Sequence, residues 1–293
     1  MPDIEKALQK LDSEFPPKPI LRFKPVKGKG GLFDSKLGGT PYFPKDMEYP
    51  KGTDGDYKDR PLRLLAQLNF EQLPHIENFP EKGILQIFIA CENDAVYGFD
   101  IRTSEDQIKQ NGFRVVYHEN IITDTSKLMT DEDIPYSEFS EDEDDFPIKH
   151  EFILKAEKPE KCLVRFDDFK AEERFPYYYN EDAEEIEDVI NTVHDIEYET
   201  LKTIYDRNSE EICFIGGYPT FTQNDPRKYV DDFNKFNTVL FELCSMEGNE
   251  MNKWGGHNYD IIWGDVGTGC FLISAEALKK LDFSNVLYIY DCG

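Results

Sequence analysis

Two short stretches limit this chain's folding options more than anything else in it: LGGTPYFP at residues 37 to 44 and IGGYPTFT at residues 215 to 222. Paired glycines reach left-handed backbone conformations that other residues avoid, and a proline two positions later keeps the chain extended rather than helical. Each stretch is therefore a tight glycine turn feeding an extended segment. Other landmarks follow in the same order. Gly38-Gly39 and Gly216-Gly217 lie 178 positions apart, Leu64 and Val239 (in LLAQLNF and VLFELCS) 175 apart, and Gly83 and Gly269 (in GILQIF and GCFLIS) 186 apart. A duplicated unit of glycine turn, strand and second strand accounts for this. The alternative is that any β-rich chain repeats strand-and-turn patterns by chance.

The remaining pattern agrees with a β-rich chain. Its aromatics are 22 Phe and 16 Tyr with only 2 Trp, a bias that suits pleated, half-buried surfaces. Strand-length apolar runs stand at 63–70, 84–90, 97–101, 113–118, 152–156 and 162–166, and again in VLFEL, IIW, CFLI and VLYIY. Helices are expected over 3–11, across 181–199 behind Asn180, after Asn224 with Asp225 as cap and Pro226 first, and from Ala275 to Leu281 behind Ser274. The expected class is α+β: two pseudo-repeated, mainly antiparallel sheet units packed into one body with a few peripheral helices. The chain divides as one domain over 1–293, with repeat units at 20–130 and 148–293 and an acidic loop at 131–147 between them.

The formal charge of −26 disfavours nucleic-acid backbones and anionic membranes as partners. It is also segmental. Residues 131–145 and 181–199 carry nine acids each and no Lys or Arg, which leaves a net −8 for everything else. The first stretch lacks apolar periodicity and reads as a loop. In the second, Ile186, Val189, Ile190 and Val193 keep helical spacing behind a carboxylate face, so Glu184, Glu185, Glu187 and Asp188 are candidates for contact with a basic protein partner. Six isolated cysteines with no Cys-x-x-Cys pair suit a reducing compartment. The first residues lack a basic and then apolar leader pattern, and no run nears the roughly 18 apolar residues of a membrane span. A cytoplasmic location is the expectation.

Five stretches, SKLGGTPYFP, LLAQLNFEQLP, FPEKGILQIFI, GGYPTFTQND and IIWGDVGTGCFLI, together resemble the YwqG-like bacterial proteins, a domain of unknown function. The resemblance implies a cytosolic α+β protein of two related β-rich halves with no established reaction, and a link to toxin-immunity neighbourhoods. Gln67 and Gln223 keep the family's pattern. Glu242 and Cys244 stand where it has Gln and Asp in the second half.

Nothing in the chain selects a reaction class. GDVGTG at 264–269 has neither dinucleotide-fingerprint nor phosphate-loop spacing and reads as a tight turn. No two of the five histidines stand at metal-ligand spacing on one helix, so no metal or cofactor is expected, although Asp260, Asp265 and Glu242 could converge on a divalent cation. His257 and Asp260 could form an acid–base pair. Aromatic clusters (PYF, PYYY, GGYP) could line a cleft between the halves, with Gln67, Gln223, Glu242 and Asp265 as small-ligand contacts. An acidic interaction module of immunity or regulatory type leads these readings, with a cleft-bearing enzyme or ligand binder next and a cation-binding protein third.

Overall fold

The computed structural model describes residues 9, 12–91, 96–135, 146–165, 168–174, 212–251 and 256–293. Most of the helix expected over 3–11, the whole of 181–199 and the acidic residues 136–145 lie outside them. Among the described residues thirteen strands are formed: β1 (Lys18–Lys27), β2 (Lys36–Leu37), β3 (Arg63–Asn69), β4 (Ile84–Ile89), β5 (Phe113–His118), β6 (Phe152–Ala156), β7 (Glu160–Cys162), β8 (Cys213–Gly216), β9 (Thr238–Cys244), β10 (Met246–Met251), β11 (His257–Ile261), β12 (Thr268–Ile273) and β13 (Leu287–Asp291). Two short α-helices lie wholly within the described residues, α1 (Phe169–Arg174) and α2 (Ala275–Lys279). None of the described helices is long and apolar enough to cross a membrane.

Eleven strands form one large antiparallel sheet, ordered β13-β12-β9-β8-β1-β6-β2-β3-β4-β5, with β7 on the start of β1; β10 and β11 pair separately. The long β1 is the hinge of this order. Its residues Ile20 to Arg22 pair with β8, and Phe23 to Lys27 pair with β6. Two arms run outward from that centre, and the sheet curls until they pack on each other. Phe113 of β5 lies 5.8 Å from Phe271 of β12 and 5.2 Å from Tyr288 of β13, ring to ring. Gln110 crosses the same gap to donate to the Phe283 carbonyl at 2.7 Å.

Curling explains why the central strands read as continuous apolar runs instead of alternating ones. One core fills the space between the arms, with Leu65, Leu68, Leu85, Ile87, Leu240, Leu243, Phe271 and Trp263 in it. The outer faces are also covered: Phe43, Tyr49, Leu64 and Phe88 pack over one arm, and Phe214, Phe233, Phe236 and Leu272 over the other. Each such side chain contributes about 1.5–3 kcal/mol relative to exposure. In each arm one strand must send two consecutive apolar residues inward, and a bulge does it: the β3–β4 ladder skips Leu65 and the β9–β12 ladder skips Leu240.

Three expected elements differ. Residues 97–101 form a turn, with Tyr97 and Gly98 at φ 53° and 77°. Gly98 backs onto Gly112 so closely that a Cβ on either would strike the other's backbone, which leaves no room for a pleated strand. The helix expected after Asn224 is a 3-10 turn, Pro226–Lys228, although Asp225 does cap it by accepting from the Arg227 amide at 3.0 Å. Of the run expected at 162–166, only Cys162, the end of β7, belongs to a strand among the described residues 162–165. The helix behind Ser274 forms but stops at Lys279 rather than Leu281, which takes a left-handed φ of 56°; the Ser274 hydroxyl caps it by accepting from the Ala277 amide at 3.1 Å.

A buried polar chain crosses the first arm. Gln67 Oε1 accepts from the Tyr42 amide and from Gln86 Nε2, both at 2.8 Å, while Gln86 Oε1 meets His118 Nε2 at 3.0 Å. Since an amide oxygen only accepts, the His118 proton sits on Nε2. Burial, with the Tyr42 and Phe43 rings against it, lowers His118 from 6.5 to about 4. Between those values the unfolded chain binds a proton that the folded chain refuses, so stability is full above pH 6.5 and falls as pH drops towards 4, by up to about 3 kcal/mol. Urea unfolding at about pH 7 and about pH 4.5 checks this: His118→Gln should lose less stability between the two than the natural chain does, and equal losses would refute the assignment.

Candidate functional site

The start of β1 lies against the second glycine turn, and a cavity of about 470 Å³ opens beside that contact. Its geometry follows from the glycines. Gly216 and Gly217 sit at φ 73° and 69°, and the Gly217 amide donates to the Pro19 carbonyl at 2.8 Å. A Cβ on Gly216 would run into that same carbonyl, so only glycine lets the two chains approach. The turn then delivers Tyr218 to the cavity wall, where its hydroxyl donates to the Pro16 carbonyl at 3.0 Å.

Lys18 lines the same wall. Its Nζ lies 4.0 Å from the Tyr218 ring centroid and donates to the Asn237 carbonyl at 2.9 Å. Burial lowers it to about 8, outweighing the attraction of Asp168. An ammonium has three donors, and these contacts leave one for a ligand. Burial likewise pushes the Tyr218 phenol well above its ordinary range, so it stays a neutral donor.

The cavity floor is an ion cluster. Arg227 Nε donates to both Asp225 oxygens at 2.9 and 3.1 Å, its Nη2 reaches Asp225 at 2.5 Å and Asp168 at 3.1 Å, and its Nη1 donates to the Phe236 carbonyl at 3.2 Å. All three side chains are nearly inaccessible. Asp225 also accepts from the Phe169 amide at 3.3 Å, which ties α1 to the turn after β8. With every group satisfied, the cluster acts as a fixed scaffold and adds one net negative charge opposite Lys18.

The sequence-derived candidates are placed elsewhere: Gln67 in the first arm, and Glu242, Gln223 and Asp265 in the second, the last two at the same C-terminal tail. Gln67 is fully buried in β3, spent on Tyr42, Gln86 and the Leu32 and Asp34 carbonyls. Glu242 is equally buried in β9, where its carboxyl accepts from the Thr220 amide at 3.1 and 3.2 Å and from the Thr220 hydroxyl. Gln223 and Asp265 meet the C-terminal tail: Gln223 Nε2 donates to the Cys292 carbonyl at 2.6 Å, and the Asp265 carbonyl accepts from the Gly293 amide at 3.0 Å. None of the four lines the Lys18 cavity. Asp260 pairs with Lys27 at 2.7 Å, and among the described residues no three His, Cys, Asp or Glu side chains gather in a way that could hold a metal ion. Asp260, Asp265 and Glu242 thus do not converge. Residues 264–267 are the expected tight turn, closed by the Gly267 amide on the Trp263 carbonyl at 2.7 Å. Glu184, Glu185, Glu187 and Asp188 lie outside the described residues.

Sequence reading missed Lys18, Arg227 and Asp168. A signal existed for the first: in FPPKPI a lone cation enters an apolar strand between prolines. No match to the chain was found among curated proteins. The family model described as a domain of unknown function (DUF1963) matches residues 35–292, a stretch that begins after Lys18 but contains Tyr218, Asn237 and the Arg227 cluster. Since that stretch covers most of the chain, the protein belongs to the DUF1963 family.

Proposed function

We propose that this protein is a cytosolic small-ligand binder built from two copies of one β-rich unit, and that its site is the Lys18 cavity. Three parallels support the duplication. Both glycine pairs take left-handed φ values, 67° and 71° at Gly38-Gly39 and 73° and 69° at Gly216-Gly217. Both third-strand bulges fall at equivalent residues, Leu65 and Leu240. In both copies a buried acceptor, Gln67 or Glu242, takes the amide of the third residue after the glycine pair, Tyr42 or Thr220. The ladders set Gln86 opposite Gln67 and Cys270 opposite Glu242, which equates Gly83 with Gly267, two positions before the Gly269 suggested by the sequence alone. Six free cysteines favour the reducing cytosol.

The observation that carries the ligand reading is the Lys18 ammonium: desolvated, with a donor to spare, on the wall of a cavity of ligand size. The cavity draws on both copies, with Phe79 from the first and Tyr218 from the second beside Lys18 of the shared central strand. Such a site suits a small molecule with a carboxylate or similar acceptor for Lys18 and an apolar body for the aromatic wall. A thermal-shift screen of small carboxylates tests it. A ligand at a hundred times its Kd stabilises by about 2.7 kcal/mol, and that shift should vanish in Lys18→Met and fade as pH rises through 8, where the ammonium loses its proton. Ligands that shift Lys18→Met as strongly as the natural chain would exclude this site.

The segmental charge favours a second reading, a module that covers a basic protein partner in an immunity or regulatory role. Within the described part of the first acidic stretch, Asp131 is already engaged by Lys29 and Thr40, and Asp133 by Lys45 and Thr130, so the acidic segment 181–199 is the one to test. Lysines at Glu184, Glu185, Glu187 and Asp188 should abolish capture of a basic partner from lysate; undiminished capture counts against it.

A further inference from the structure

A second cavity, of about 430 Å³, lies on the outer face of the first arm, between β5 and the loop from Met47 to Thr53. Arg114 projects into its lining from β5, in register with Phe88. Other arginines of this acidic chain hold carboxylates closely: Arg22 has Glu160 at 3.1 Å, Arg102 has Asp100 at 2.6 Å and Arg227 has Asp225. Arg114 has no carboxylate within ion-pair distance among the described residues. Its Nη2 makes only two long contacts, 3.5 Å to the Lys51 carbonyl and 3.4 Å to the Gln110 carbonyl, and its Nε is buried with no hydrogen-bond partner. Nη1 makes no hydrogen bond among the described residues and is not shut away as Nε is, so it is the edge open to a ligand.

A half-buried guanidinium so weakly satisfied is destabilising unless something else meets it. We propose that this cavity is a binding site for a small oxyanion-bearing molecule, with Arg114 as the recognition residue and Phe43, Tyr49 and Val116 as the apolar wall. The planar guanidinium fork matches a carboxylate or phosphate edge, which a lysine cannot reproduce. Phe43 and Tyr49 are fixed edge-on against Phe88, with centroids 6.1 and 5.8 Å away, so the wall is preformed. Lys51 and two exposed carboxylates, Glu48 and Asp59, also line the cavity, and Lys51 leans to Glu48 at 3.6 Å, so Arg114 is the cation left for a ligand. Met47, 42% exposed, stands at the mouth.

The site is independent of the Lys18 cavity, and isothermal titration of the full chain with benzoate, phenyl phosphate and inorganic phosphate separates them. Benzoate and phenyl phosphate distinguish a carboxylate from a phosphate ligand, while inorganic phosphate reports the anion without its apolar body. Saturable binding of at least one aromatic probe at this site is expected, weakened about tenfold or more in Arg114→Gln and only partly restored in Arg114→Lys, while any separate binding event that disappears in Lys18→Met belongs to the other cavity. Met47→Glu places an anion at the rim without touching the core and should weaken binding as well, which keeps the test open if Arg114→Gln fails to fold. No saturable binding of any probe at millimolar concentration, or binding that persists undiminished in Arg114→Gln or Met47→Glu, overturns the proposal.

Discussion

Everything in this fold hangs on a buried side-chain acceptor that catches the backbone just after a glycine turn. Gln67 holds the Tyr42 amide and Glu242 holds the Thr220 amide, each from the covered outer face of a central strand. Without them a turn that leaves the sheet and folds over it would bury an unpaired N–H, at a loss of about 1–3 kcal/mol. With them, the segment after each turn is fixed across the outer face. In the first arm that segment supplies Tyr42 and Phe43 to the covering layers, and in the second it brings Tyr218 to Lys18.

The two candidate sites follow from that arrangement, because each lies where a covering segment meets the sheet imperfectly. At β1 the approach of Gly216-Gly217 desolvates Lys18 without giving it a carboxylate partner, and Asp168, the acid that attracts it, is taken by Arg227. Over β5 the loop from Met47 to Thr53 roofs Arg114 without satisfying it. In both places a cation has given up hydration in a chain that carries a large excess of acid.

The sheet was largely legible because its signals are local. Apolar runs such as RLLAQLN and ILQIF announce strands, and the Gly-Gly-x-Pro stretches announce turns. Gln67 and Glu242 stood out as polar residues inside those runs, but whether such a residue serves a ligand or the backbone depends on what passes over it. Residues 25 and 22 positions earlier in the chain decide that, Tyr42 and Thr220. Lys18 was harder still: its surroundings come from Tyr218 and Asn237, some two hundred positions away, and no periodicity reports such a contact. The strand expected at 97–101 failed for a related reason. Its aromatic content suits a strand, but the close approach of Gly98 to Gly112 is a tertiary contact that overrides it.

The most direct test of this account is equilibrium unfolding of Glu242→Gln and Glu242→Leu alongside the natural chain. Glutamine places at 242 the residue that already does the same task at 67, so that variant should fold and stay within about 1 kcal/mol, whereas leucine leaves the Thr220 amide unpaired and its hydroxyl with only the Cys244 thiol at 3.8 Å, and should lose about 2–4 kcal/mol. A leucine variant as stable as the natural chain, or a glutamine variant as damaged as the leucine one, would contradict the claim that these buried acceptors hold the two glycine turns in place.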